Sequence, residues 1–232
     1  MAAGTVVIAG GTQGLGRVLA EKFAAAGNSV VISGRDPERA QSVAAEISPR
    51  VRGIGLNLAD PESIAPALSG IDSVDHIVLA AIERDANSVK QYNIAGALRL
   101  ATLKLVGYTE VVHQLHGALH ASSSVLIFGG LAKDRPYPGS TTVTTVNGAV
   151  TTMVRTLAIE LAPVRFNAIH PGIVGDSPAW ADKAAALETV VKRTPTGRLV
   201  TMEQVADAAL FLLRNGAVNG VNLNVDGGWV ML

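Results

Sequence analysis

Seven short β-branched runs, nearly all separated by stretches of helical periodicity, constrain this chain more than any other feature. TVVIA (5–9), SVVIS (29–33), VRGIGL (51–56), DHIVLAA (75–81), SVLIFG (124–129), RFNAIH (165–170) and VNLNV (221–225) read as strands. Several are apolar on consecutive rather than alternate positions, the pattern of parallel strands covered on both faces. Segments 14–26, 37–47, 61–69, 87–117, 141–162, 180–192 and 202–214 read as helices. Parallel neighbours need long crossovers, and helices supply them. The expected fold is α/β: one Rossmann-type, doubly wound domain over residues 1–232, with a seven-stranded parallel sheet flanked by helices.

Helix start signals agree. Asp36-Pro37 and Asp60-Pro61 each place an N-cap residue before a proline at the first helical position. Thr201-Met202-Glu203-Gln204 has the spacing of a capping box.

Charge and composition exclude several functions. Nineteen basic and nineteen acidic residues cancel, so there is no basic footprint for nucleic acid. No apolar run reaches the ~18 residues of a membrane span. MAAGTVVIAGG enters a strand directly, so no signal peptide is expected. There is no cysteine, which removes disulfide and thiol chemistry and fits a reducing compartment. The expectation is a cytoplasmic domain acting on a small molecule, with no nucleic-acid or membrane partner. Its near-zero charge gives little protection against self-association.

The first strand runs into AGGTQGLGR, where Gly10, Gly14 and Gly16 precede the first helix. Glycines there permit a tight turn and let a pyrophosphate approach both the backbone and the helix N-terminus. The second strand ends in SVVISGRDPER. An NAD site usually puts an acidic residue at this strand end, near the ribose 2′-hydroxyl. Gly34 occupies that place and Arg35 follows. A guanidinium binds a 2′-phosphate bidentately where a carboxylate would repel it, and Ser33 offers a hydroxyl. NADP(H) is therefore expected in preference to NAD(H); a surface arginine paired with Asp36 or Glu38 is the alternative.

These features resemble the short-chain dehydrogenase/reductase superfamily from Thr5 to Trp229. The glycine turn is similar to the family's T-G-x-x-x-G-x-G, with Ala9 in place of threonine, and LAIELAPVRFNAIHPGIV (157–174) and GVNLNVDGGW (220–229) are similar to its C-terminal signatures. The resemblance implies that Pro171 and Gly172 begin the loop beneath the nicotinamide and that the Val174 backbone holds its carboxamide. It extends the cofactor set to Thr12, Gln13 and Leu15 in the turn, Asn57 and Leu58 after the third strand, Ala80 after the fourth, and Asn147.

The departures lie where such enzymes do their chemistry. The family's N-N-A-G after strand four reads LAAI (79–82). Its serine, tyrosine and lysine register onto Gly130, Val143 and Asn147; of its four usual residues only the asparagine, at Asn93, keeps its identity. The family's tyrosine exchanges the substrate proton, and its pKa near ~10 must be lowered for work at neutrality. Asn147 can hydrogen-bond a ribose but supplies no charge. Substitutes are sought in LAKDRPYPGS (131–140), with Lys133, Asp134, Arg135 and above all Tyr137, and in Asp176, which stands where members usually carry threonine. The expected catalytic set is thus Asn93, Tyr137 and Asp176. Structural roles are open to two of these: Tyr137 as a proline-flanked surface aromatic, Asp176 as a turn or capping residue. Trp180 either closes the pocket or packs on the core. His170 is expected at a strand end with its hydrogen bonds satisfied; His113, His116 and His120 on the fourth helix lack the companions of a metal site.

The expected function is NADP(H)-dependent hydride transfer with a small-molecule carbonyl, imine or activated alkene, without the usual acid, in a homodimer or homotetramer. Two alternatives stay open: a cofactor-binding protein without redox turnover, and a non-redox isomerase or cyclase that keeps the cofactor.

Overall fold

The apolar runs lie side by side, and every pairing is parallel. The computed structural model describes residues 4–83, 85–181 and 184–232. Strands β1 (Thr5–Ala9), β2 (Ser29–Gly34), β3 (Val51–Gly55), β4 (Val74–Leu79), β5 (Leu119–Phe128), β6 (Arg165–Pro171) and β7 (Asn222–Val225) form one seven-stranded sheet. Its order is β3-β2-β1-β4-β5-β6-β7, so the chain reverses its direction of travel across the sheet between β3 and β4. Such a switch point opens a crevice at the strands' carboxyl ends, where ligands enter folds of this type.

Successive side chains of a strand face opposite ways, and β1 shows the consequence. Val6 and Ile8 enter the core shared with α1 (Gly14–Ala25), α2 (Pro37–Ile47) and α8 (Met202–Arg214). Val7 and Ala9 enter the core formed with α3 (Ile64–Leu68), α5 (Tyr108–Leu115) and α6 (Thr141–Glu160). Two further helices, α4 (Ile94–Ala101) and α7 (Ala184–Lys192), flank the crevice. Each fully buried aliphatic side chain contributes about 1.5–3 kcal/mol, so both layers press on the sheet and fix the strand ends.

Two of the three start signals act as expected. The Asp36 carboxylate accepts from the Glu38 and Arg39 amides (3.0 and 3.2 Å), and Thr201 and Gln204 form both bonds of a capping box. Asp60 makes no side-chain cap; its proline opens a 3-10 turn, Pro61–Ser63, ahead of α3. Arg165 closes the far end of α8, donating to the carbonyls of Leu212 (2.9 Å), Leu213 and Val218 (2.9 Å).

Three expected boundaries are corrected. The helix expected over 87–117 begins at Ile94, because the Asn87 amide accepts from the Asn93 N–H (2.8 Å) and donates to its carbonyl (2.9 Å), clasping 87–93 as a loop. Between α4 and α5, residues Thr102–Gly107 form a π-helical turn. Strand β5 starts at Leu119 rather than 124, since the Ser123 and Ser124 hydroxyls are satisfied by the carbonyls of Val74 (2.6 Å) and Leu213 (2.8 Å). His120 therefore lies on a strand, 2.9 Å from Asp75, and not on the helix. The helix expected over 180–192 divides into a 3-10 turn, Pro178–Trp180, and α7; residues 182 and 183 lie outside the described residues.

Candidate active site

A cleft of about 970 Å³ runs across the carboxyl ends of β1 to β6. Its first half is built from backbone. Gly10 and Gly11 donate to the Ser33 carbonyl (3.2 and 3.1 Å), which folds the turn after β1 back onto β2. Gly10 has a φ of 88°, and a Cβ there would lie 2.6 Å from the Ala81 backbone. Only glycine fits. The turn delivers α1 with Gln13 at the N-cap and no side-chain cap bond, so first-turn amides remain for a ligand. Gln13 instead accepts from Arg39 (3.1 Å). An open cradle at an uncapped helix N-terminus fits a pyrophosphate.

All residues expected to hold the cofactor line this cleft: Gly10, Thr12, Gln13, Gly14, Leu15 and Gly16 from the turn; Ser33 and Arg35 from the end of β2; Asn57 and Leu58 after β3; Ala80 after β4; Asn147 from α6; and Pro171, Gly172 and Val174 at the end of β6. The Arg35 side chain is 70% exposed and meets Glu83 at 3.0 Å. Glu83 also accepts twice from Arg99, both at 2.7 Å. Those bonds to Arg99 hold its carboxyl below the usual range. With Glu83 matched by Arg99, and Asp36 engaged as a helix cap, Arg35 is a surplus cation at this end.

The second half is built from side chains, and it departs from the expected set. Gly130, Val143 and Asn147 line the cleft together. A Cβ on Gly130 would lie 2.8 Å from Asn147 Nδ2, so the missing side chain at 130 makes the space that Asn147 fills. Behind them His170 is fully buried; its Nδ1 accepts from the Gly130 amide (3.1 Å), and its Nε2 lies 2.9 Å from Asn222 Oδ1. Nε2 therefore carries the proton, and burial pulls the pKa down to about 4, keeping the ring neutral. This is the satisfied strand-end histidine that the sequence suggests.

The three expected catalytic residues separate. Tyr137 lines the cleft at its mouth, 53% exposed. Asn93 does not reach it: exposed on the surface, it caps α4 by accepting from the Gly96 amide (3.0 Å). Asp176 is turned away as well, accepting from the Met202 amide (2.8 Å) at the start of α8. In the loop after β5, Lys133 and Asp134 pair with each other. Arg135 lines the cleft, donates to the Trp229 carbonyl (2.5 Å) and stacks over its ring at 4.3 Å. That contact draws the C-terminal segment against the site. Trp180 also lines the cleft.

One residue escapes the sequence reading. Lys104, on the π-helical turn, lines the cleft yet is only 2% exposed. Its signal is a lone cation within the apolar run LKLV (103–106) of a helix whose other charges lie outward. Among the described residues no group of three histidines, cysteines or carboxylates could hold a metal ion, and no helix is long and apolar enough to cross a membrane.

Known proteins resemble this chain along nearly its whole length. A family model described as enoyl-(acyl carrier protein) reductase matches residues 9–230. The chain is 31% identical to a 3-oxoacyl-(acyl-carrier-protein) reductase of Aquifex aeolicus, over 96% of this chain and 95% of the relative. It is 28% identical to an L-xylulose reductase of Bos taurus, over 97% and 95%. A solved structure described as a short chain dehydrogenase/reductase family protein superimposes with a TM-score of 0.87 at 29% identity, over 98% of this chain and 97% of that one. The strand order, the glycine turn and these matches agree: the chain belongs to the short-chain dehydrogenase/reductase family of nicotinamide-dependent oxidoreductases.

Proposed function

We propose that the protein binds NADP(H) in preference to NAD(H) and moves a hydride between it and a small-molecule carbonyl, imine or activated alkene, without a tyrosine–lysine pair on α6. The observation that carries this reading is the cleft's division: a glycine turn, an uncapped helix N-terminus and Arg35 line one end, and Gly130, Val143 and Asn147 line the other. When bound, the cofactor supplies the hydride. The turn at Gly10 and the amides of α1 hold its pyrophosphate, and Arg35 and Ser33 take the 2′-phosphate. The Asn147 amide orients a ribose, while Trp180 and Trp229 narrow access for water. Such positioning can contribute about 7–11 kcal/mol to a reaction between two bound partners. An electrophile that is already positive, such as an iminium ion, needs no proton after hydride arrives. Reductases acting on 3-oxoacyl chains and on a keto sugar are among the relatives, which supports a carbonyl-type acceptor.

Calorimetric titration tests the binding half. A charge-assisted bidentate contact contributes about 1.5–3 kcal/mol, so NADPH should bind roughly ten- to a hundredfold more tightly than NADH, and Arg35→Asp should erase the difference. Equal dissociation constants in the wild type would contradict the proposal. The same reading includes a homodimer or homotetramer, motivated by Ile94 and Leu98, neighbours on α4 that are each 64% exposed. Light scattering should give a multimeric mass that Leu98→Glu lowers; a monomeric wild type refutes that part.

A further inference from the structure

The reaction end still lacks an acid, and Lys104 is placed to be one. The π-helical turn widens the helix by one residue and re-aims its side chains, a feature frequent at functional sites. Gly107 closes the turn against the loop after β3, where a Cβ would lie 2.2 Å from the Leu58 carbonyl oxygen. Lys104 Nζ is thereby carried inward between the ends of β4 and β5. It donates to the carbonyl of Phe128, the last residue of β5, and sits 5.0 Å from the centre of the Tyr108 ring. Tyr108, fully buried, donates to the Ala81 carbonyl just beyond β4 (2.5 Å). An ammonium has three N–H donors, and among the described residues one is used.

We propose that Lys104 is the proton donor of this site, replacing from the α4–α5 turn the acid that α6 does not provide. This rests on the hydride-transfer reading above. A carbonyl carbon accepts hydride from the reduced nicotinamide dinucleotide, the π electrons move onto oxygen, and an Nζ proton neutralises that oxygen. The products are the alcohol, the oxidised dinucleotide and a neutral lysine, which takes a proton back from water. The other cations lining this side, Arg135 and Arg193, can hold an oxygen but cannot release a proton. Tyr137 is mostly solvated at the mouth.

The charges around Lys104 favour proton release. No carboxylate among the described residues pairs with it, and burial alone draws its pKa down to about 7. From α5 it faces the Tyr108 phenol, raised above its ordinary value by burial. From β6 it faces neutral His170. The cleft-facing residues of α6, namely Val143, Val146 and Asn147, carry no charge. Lys133 and Asp134 after β5 offset one another, as do Arg99 and Glu83 at the rim. A buried, unpaired ammonium is costly; a methionine would fill similar space without that cost. The acid form is lost as pH rises through about 7, so reduction of a neutral carbonyl should decline over that range.

The test mixes the NADPH-bound protein with a neutral ketone and, separately, with an N-alkyl iminium ion. Losing a general acid costs roughly 10²–10⁴ in rate. Lys104→Met should slow the ketone by that factor and remove the decline above neutrality, while slowing the iminium far less; a purely structural lysine would slow both alike. Independently, NMR of lysine labelled at Cε should show one lysine of the wild type titrating near 7, which needs neither variant nor substrate. Equal slowing of both compounds, no slowing of either, or every lysine titrating near ~10 would overturn the proposal. If the wild type oxidises NADPH with neither compound, the hydride-transfer reading fails first and takes this proposal with it.

Discussion

The two ends of the cleft solve different problems. At the β1–β3 end, the proposed recognition is written in backbone: a glycine turn, an uncapped helix and strand termini, with Arg35 added. At the β4–β6 end, the proposed function depends on side chains, and there Gly130, Val143 and Asn147 line the cleft, the positions onto which the sequence reading registers the family's hydroxyl, phenol and ammonium. Backbone recognition changes little when side chains drift, because the fold itself supplies it. Side-chain chemistry can move to another element, provided the new group reaches the same space. Lys104 shows how: its cation arrives from the α4–α5 turn, whereas α6 lines the same cleft with neutral residues. The reaction end is also mutually fitted, since Asn147 occupies the room that Gly130 leaves and His170 holds the Gly130 amide from behind.

Three tests probe that contrast. The largest effect is expected at the backbone end. Gly10→Val forces a β-branched residue to a φ of 88° and drives its Cβ into the Ala81 backbone. Strain of this kind costs about 1–3 kcal/mol before the clash is counted, so NADPH affinity by calorimetry should fall more than ~tenfold. Unchanged affinity would show that the turn is not the cradle. A smaller effect is expected at the reaction end. Gly130→Ser places an atom 2.8 Å from Asn147 Nδ2, and overpacking costs about 1–3 kcal/mol. Adding Asn147→Ala should recover most of the lost thermal stability, and if it does not, the two positions are not fitted to each other. The smallest effect is expected at Asp176, which caps α8 through the Met202 amide. Asp176→Ala should lower stability by about 1 kcal/mol in a denaturant titration, with NADPH affinity and hydride transfer unaltered. A selective loss of turnover would return Asp176 to the chemistry.

How much of this is legible in the sequence follows from the same contrast. The strand runs and the glycine turn between β1 and α1 are legible because each is a local pattern with one dominant physical reason; Arg35 lines the cleft, as its place after β2 suggests. Strand β5 is started too late because HASSS (120–124) looks polar, although two of its hydroxyls are satisfied internally. The loop at 87–93 depends on one asparagine clasping another's backbone, which no periodicity reports. Asn93 and Asp176 are singled out by register with the family, yet both bond nearby backbone amides, a use of such residues that spacing does not distinguish from catalysis. Lys104 is passed over because an isolated lysine on a long helix ordinarily points outward; the π-helical turn that brings it in has no composition signature.

The most direct test of the account is a single turnover of the NADPH-bound protein with an iminium ion, using cofactor deuterated at the transferred position. The account predicts that bound NADPH is oxidised, more slowly from the deuterated form, and that the product carries the label. No oxidation of bound NADPH by iminium, carbonyl or activated alkene, despite tight binding, would contradict it and leave a dinucleotide-binding protein without redox turnover.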